Sequence, residues 1–461
     1  MSERKKEGGP FVWGTQKKAY DFIANMLSSA CEKNHFLRAL GADLATHTST
    51  FLFDWIDHIE IGYSDAIHDE LVDCGFVQET ATPNYRVFSH PGAKLPLIVV
   101  KDQQHPFVSV ALSVDSIGDF FMVRGMSTWI EGAPFSAYRR ACVSKEQGVF
   151  VYVVERRATL SMEPTTYHNG ELLSLLGAFE KWQTRPRDFD DEEHEDESMR
   201  QALHLAEELV ETIGANMSAC IVLEVERRFW QSKNRAGQIQ KNRQDFLGMG
   251  WANHDHHTFR SSRRHFRSLV RLFEILGFSC RERFYAGIEA GWGAQVMEHK
   301  SGRFVLFLDV DLSPEEVEID FAHLPLPDRE QLGTIGLWCA LHGESILKAG
   351  MHHLEAQFDF DKLTADLEAE GVQMMAPFTN LAYLRQAFSV GQMWKVSPKR
   401  VQRLLERAQI TQDQAKRFLE KGALGSHLEN LERKEGYKGF HQRSVSDIIS
   451  RTDPRGFSAG A

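Results

Sequence analysis

The chain has 461 residues, 42% of them hydrophobic, which is enough for two or three domains with substantial cores and makes a globular protein the default. A formal net charge of -11 argues against a general nucleic-acid or anionic-membrane binder, since both need a basic footprint, and leaves small molecules or proteins as partners. Six cysteines without CxxC spacing indicate neither a disulfide framework nor a zinc knuckle and fit a reducing cytoplasm, and nothing marks the chain for secretion or membrane insertion.

Residues 1–9 read as a disordered tail. Helices are predicted at 16–33, where Ile23, Met26, Leu27 and Ala30 share one stripe, and near 36–45. The strand Asp57-His58-Ile59-Glu60-Ile61 follows, then a short helix that ends at Gly75. Strand-like runs at 85–89, 95–100 and 107–114 lead to a hairpin of 141–143 and 149–154, and a first domain closes near 165. Residues 166–250 read as a helical and acidic linker region. Eight of the ten residues 188–197 are acidic, and the plain reading of such a block is a solvated linker, against a docking site for a basic partner.

The stretch 251–400 opens on Asp255-His256-His257-Thr258-Phe259-Arg260, in which alternation puts His256, Thr258 and Arg260 on one strand face. The next helix carries Phe266, Leu269, Val270, Phe273 and Leu276 on one stripe and ends at Gly277, and a hydrophobic run occupies 304–310. Arg263, Arg264, Arg267 and Arg271 on this helix read as a solvated face. After a helical stretch at 332–347, His352-His353-Leu354-Glu355-Ala356-Gln357 starts another strand, followed by a helix with Leu363 and Leu367 that ends at Gly371. A closing strand is predicted at 388–396, and Ser397 and Pro398 start a helix as N-cap and first helical residue. Residues 401–461 are predicted helical and polar to about 451, with a loose end.

His58, His256 and His353 stand 17, 21 and 18 residues before Gly75, Gly277 and Gly371, which suggests one strand-helix-strand unit used three times. A mononuclear non-haem iron site needs two imidazoles and one carboxylate on one side of the metal, with open positions opposite. His256 and His353 are equivalent in the last two units, so both imidazoles can enter one concave sheet. Each alone reads as an ordinary hydrogen-bonded core histidine. Arg260 shares the His256 face and suits either a substrate carboxylate or an ion pair at the sheet edge. No HExxH, GxxxxGK[ST] or GxSxG occurs, which disfavours zincin, nucleotide-hydrolase and serine-hydrolase chemistry.

These residues resemble the vicinal oxygen chelate superfamily, whose βαβββ modules pair into a metal-holding half-barrel, and within it the 2-oxoadipate dioxygenase/decarboxylase family, also called 2-hydroxyglutarate synthase. Residues 255–261 resemble that family's first metal strand, with a His followed four residues on by Arg. Leu276-Gly277-Phe278 and 304–314 resemble the family's next segments, His353 resembles the second metal His, and 384–391 with Ser397-Pro398-Lys399 resembles the closing segment. The likeness covers about 210–410. It implies an α+β fold of paired modules in a half-barrel sheet, with helical preambles and a helical C-terminus. It also implies Fe(II), or another divalent metal, and O2 used on a small 2-oxo acid, with Arg260 holding a carboxylate and Arg385 and Ser389 near the substrate.

The family's third ligand is a Glu on the closing strand, yet 377–396 contains no Glu or Asp. Glu355, two residues after His353, can supply the carboxylate on the same face. Alternatively Ser389 or Gln392 occupies the ligand place and the metal is weak or absent. The leading reading is a metal-dependent oxygenase. A binding module of the same fold that has lost a ligand, or a metal-dependent isomerase or lyase, stands beside it.

Overall fold

A computed structural model of the protein describes residues 13–101, 107–167, 169–187, 190–288, 290–440 and 453–455. The expected N-terminal tail and most of the expected loose C-terminal end lie outside these residues. Two mixed sheets, each covered by helices, give the α+β class. In the N-terminal half the strands are β1 (Ile56–Gly62), β2 (Val77–Ala81), β3 (Tyr85–Ser89), β4 (Leu97–Lys101), β5 (Val108–Ser113), β6 (Ile130–Glu131), β7 (Tyr138–Glu146) and β8 (Val149–Arg156). In the C-terminal half they are β9 (His254–Arg260), β10 (Ser279–Tyr285), β11 (Trp292–His299), β12 (Phe304–Asp311), β13 (His353–Ala356), β14 (Thr379–Leu381), β15 (Leu384–Phe388), β16 (Gln392–Trp394) and β17 (Ala423–Arg433).

The strand orders are β2-β3-β4-β1-β5-β8-β7-β6 and β10-β11-β12-β9-β13-β17-β15-β14, with β16 also paired to β17. Position for position they are the same arrangement. Each half is therefore a pair of βαβββ modules of vicinal oxygen chelate type, joined through an antiparallel contact of their first strands, β1 with β5 and β9 with β13.

Four modules replace the three units expected from sequence. The unrecognised one starts on β5, whose first-strand position holds Ser109 rather than a histidine. Its helix, Ile117–Arg124, is capped by Ser116 and ends at Gly125 with φ +60. The glycines that did mark the repeat, Gly75, Gly277 and Gly371, have φ of +84, +88 and +76, the left-handed conformation that ends a helix without Cβ strain.

The helix Phe266–Ile275 shows why the pattern was readable. Phe266, Leu269, Val270 and Phe273 are all buried against the sheet, and each contributes roughly 1.5–3 kcal/mol on transfer from water. Arg263, just before it, is a correction. It is buried, donates to Pro327 O and Asp311 O, and is paired with Glu316, where a solvated face was expected. Asp311 in turn accepts from the backbone N–H groups of Gly333, Ile335 and Gly336 at the start of the helix Thr334–His342, an acid placed where the helix dipole favours it.

Two further expectations are overturned. The acidic run is no solvated linker in its described part, because residues from Glu192 onward belong to the helix Glu192–Ile213, N-capped by Asp191. Two of its acids meet bases from other elements: Glu195 pairs with buried Arg400, and the partly exposed Asp196 with Arg264 and His265. Asp190 holds Lys348 at 2.6 Å and accepts from Ser397 Oγ, so Ser397 starts its helix without capping it through its side chain. The C-terminal segment, in turn, is not helical throughout. After the helices Pro398–Glu406 and Gln412–Lys421 it forms β17, a fully interior strand between β13 and β15.

His265 links the acidic helix to the sheet, with Nε2 at 2.8 Å from Asp196 Oδ1 and Nδ1 at 3.3 Å from Glu344 Oε1. Burial alone would lower its pKa, but the bond and charge of Glu344 and the bond to Asp196 outweigh it and hold it up at about 9, above the ordinary 6.5. A raised folded-state value contributes stability that is fully present below about pH 6.5 and is lost as pH rises through about 9. Urea unfolding should therefore show up to about 3 kcal/mol lost across that window, and His265→Gln should flatten the dependence.

Candidate metal centre

The middle strands bring the chemistry together through register. Glu355 of β13 faces His256 on β9 and lies beside Glu429 on β17, whose other neighbour on β15 is Phe388. One row along, Thr258, His353 and His427 are aligned in the same way. Directly opposed residues stand about 4.5–5.5 Å apart, so side chains of one face are forced into contact. His256, His353, Glu355 and Glu429 each offer one ligand atom, all within 4.8 Å of one another, and all four are buried.

His353 Nε2 lies 3.2 Å from Glu429 Oε2 and 3.5 Å from Glu355 Oε1, and His256 Nδ1 contacts the Glu355 carboxylate. Burial pushes the Glu429 carboxyl up to about 8, and burial together with the adjacent Glu429 pushes Glu355 well above the usual range. Burial lowers His256 to about 4 and takes His353 well below its ordinary value, so both imidazoles are neutral. Neutral imidazoles beside crowded, dry carboxylates form the donor set that a divalent cation relieves.

The expected face of β9 is present: His256, Thr258 and Arg260 all line one cavity. It leaves about 60 Å³ for the centres of water-sized molecules, room for a few small groups. The lining includes the aromatic side chains Phe284, Trp292, Phe307, Phe378, Phe388 and Phe440, of which Phe307 and Phe440 pack on His256 and Phe388 on His353 and His427. Among its polar residues, Thr258 Oγ1, Arg260 Nε and Nη1, Gln386 Oε1 and His427 Nε2 are buried without a hydrogen-bond partner among the described residues. Arg260 sits 3.8 Å from Asp309 and 5.5 Å from the Trp338 ring centre. Burial brings its pKa down to about 10, still cationic at neutral pH, while burial raises Asp309 to about 7.

Two expected substrate residues lie elsewhere. Arg385 points to the other face of β15, partly exposed, and donates to Asp361 and Asn380. Ser389 is buried behind β17, where its Oγ accepts from Leu428 N and its carbonyl bonds His427 Nδ1. Neither lines the cavity.

Glu429 is the residue that sequence reasoning missed. Its strand carries Leu424, Leu428 and Leu431 at helical spacing and is buried on both faces, so no alternation announces it. The available signal was the alternate pair His427 and Glu429 following Gly422 and Gly425. Within the N-terminal half, Glu60 pairs with Lys101 at 3.1 Å, His58 faces Ala111, and Ala111 faces Tyr152. Only the first histidine of the four-residue set recurs there.

His256 is oriented by Asp255, whose Oδ1 lies 3.2 Å from Nδ1. Although burial would raise it, Arg433 and then Lys94 hold the Asp255 carboxyl well below the usual range. Arg433 comes from β17, with Nε 3.2 Å from Oδ2, whereas Lys94 comes from the N-terminal half and bonds both the carboxylate and the Asp255 carbonyl. The N-terminal half repeats the motif in Asp57, which bonds His58 Nδ1 at 2.5 Å and Arg156 at 2.7 Å.

No known family profile matches the chain, and no curated protein matches it. Solved structures similar to it include a triple mutant of 4-hydroxymandelate synthase from Streptomyces coelicolor, 11% identical over 87% of this chain and 98% of that one, with a TM-score of 0.28. Methylmalonyl-CoA epimerase from Mycobacterium tuberculosis is 13% identical over 40% of this chain and 89% of that one, with a TM-score of 0.23. The uncharacterised protein YdcJ from Shigella flexneri is 13% identical over 57% of this chain and 84% of that one, also at 0.23. The architecture given above rests on strand order and register.

Removal of Lys94 takes a charged hydrogen-bond donor from a buried carboxylate. Lys94→Met should cost about 1.5–3 kcal/mol in urea unfolding at neutral pH. The same change made in an Asp255→Asn background should cost clearly less, since the two residues act as one unit.

Proposed function

We propose that the protein is a metal-dependent oxygenase of the Fe(II) class acting on a small 2-oxo acid. The observation that carries this reading is the convergence of two imidazoles and a carboxylate pair at one end of a buried cavity, with an incompletely partnered guanidinium lining the same cavity. A divalent iron held by His256, His353 and Glu429 would supply O2 activation next to a chelated 2-oxo acid.

The rest is done by the chain. Arg260, with Nε and Nη1 lacking partners, holds a substrate carboxylate in the dry cavity, where a charge-assisted pair is strong. Thr258 Oγ1 and His427 Nε2 are free to take a further polar group of the substrate. The aromatic side chains of the lining would limit the access of water to the reacting group.

Asp255 lies 3.2 Å from the same His256 nitrogen, Nδ1, that meets Glu355, and helps to hold the ring in place. Glu429 takes the part of third ligand because it lies nearest His353 on the last strand of the second module, and Glu355 stands next to it as a fourth donor.

Glu355 also favours a second reading. Three protein donors leave an octahedral metal room for a chelating substrate and O2, whereas four leave room for the chelate alone, which suits an isomerase or lyase. The test is anaerobic loading with Fe(II), metal analysis, and O2 uptake over a panel of 2-oxo acids. The oxygenase reading expects near-stoichiometric iron that is lost in His353→Ala and Glu429→Gln and kept in Glu355→Gln, with O2 consumed and CO2 released. Iron bound without O2 uptake in both the native protein and Glu355→Gln would favour isomerase or lyase chemistry. Iron absent from the native protein would leave a metal-free binding module. In Arg260→Gln, KM should rise at least about tenfold while iron content is unchanged.

A further inference from the structure

A second group of metal-ligating side chains meets at the outer edge of the C-terminal sheet, away from the cavity. Glu274 comes from the last turn of the helix Phe266–Ile275, Cys280 from the edge strand β10, and His323 from the segment after β12. Each offers one ligand atom, and all lie within 4.8 Å of one another. The register of β10 against β11 shifts between Cys280 and Glu282, and a bulge of this kind re-aims the side chain beside it.

His323 is arranged as ligating histidines are. Its Nδ1 lies 2.8 and 3.0 Å from the two oxygens of Asp320, and its Nε2 faces Glu274 Oε1 at 2.9 Å. A carboxylate behind one ring nitrogen fixes the ring so that the other is presented to a metal. Arg283 Nη2 stands 3.6 Å from Asp320 and is the cation that faces the group.

We propose that Glu274, Cys280 and His323 form a second metal site for a zinc-class ion, with Asp320 orienting His323. One thiolate, one imidazole and one carboxylate suit a borderline-soft ion and select against magnesium and calcium, and water completes the tetrahedron. Zinc bonds of about 2.3 Å to sulfur and about 2.0–2.1 Å to nitrogen put those donors about 3.5 Å apart, which the exposed Cys280 reaches by side-chain rotation.

Without the ion, hydrogen bonds to Glu274 and then Asp320 raise the His323 pKa. Binding takes the thiolate form of Cys280 and sends the thiol proton to solvent. The ion would staple a helix, an unpaired strand edge and a long connection together. That edge belongs to the strand whose Phe284 lines the cavity.

The test is a Co(II) titration of the reduced full-length protein at neutral pH, read as thiolate-to-cobalt charge transfer in the near ultraviolet. The donor set in the cavity contains no sulfur, so the band reports this site whatever happens at the other. The proposal expects a saturable band whose final intensity corresponds to one thiolate-bound cobalt per chain and which is displaced by zinc. It should be lost in Cys280→Ser, weakened at least about tenfold in His323→Ala and Asp320→Asn, and kept in His353→Ala. No band with native protein, or a band that survives Cys280→Ser, would overturn it. So would half-saturation only at millimolar cobalt.

Discussion

Two carboxylates packed side by side inside a sheet set the terms for the rest of this structure. Glu355 and Glu429 are adjacent on parallel strands and cannot both be charged there without a cation. The surrounding sheet does little to discharge them. Gln386 Nε2 approaches Glu429 at 3.5 Å, and the two nearest imidazoles are neutral. A fold concerned only with stability gains more from apolar side chains at these positions, and the N-terminal half has them in part, with Ala111 and Tyr152 in the corresponding row. The costly set stands in one half alone, and perturbed groups of this kind cluster at functional sites.

The two halves share a strand order but divide the labour. In the N-terminal half the cleft is filled by its own residues: Tyr85, Tyr138 and Met162 pack there, and Glu60 is matched by Lys101. In the C-terminal half the same face stays open as a cavity. The halves also exchange bases, since Lys94 reaches Asp255, and Arg303 donates to Leu95 O in the loop that carries Lys94. The N-terminal half thus acts on the histidine cluster through Asp255, one residue from His256.

Wherever one element carried its own signal, the sequence was legible. The stripe of the helix Phe266–Ile275, the left-handed glycines and the face of β9 with His256, Thr258 and Arg260 all follow from periodicities of 3.6 and 2. Signals failed where burial removed them. β17 is interior on both faces, so its leucines read as a helix and its glutamate as a solvated charge. The acidic run fails for a different reason, since composition cannot show that Arg400, Arg264 and His265 stand opposite two of its acids.

By itself the sequence determined the module, the equivalence of His256 and His353, and the side of the strand from which Arg260 looks out, because each depends on residues within one element or on a repeat. Tertiary structure alone decided that Glu429 joins them, that Arg385 and Ser389 do not, and that Lys94 supports Asp255. Those choices turn on which strand lies beside which and in what register. Pairings such as Glu355 with Glu429, and Lys94 with Asp255, join residues far apart in the chain, and local periodicity carries no record of them.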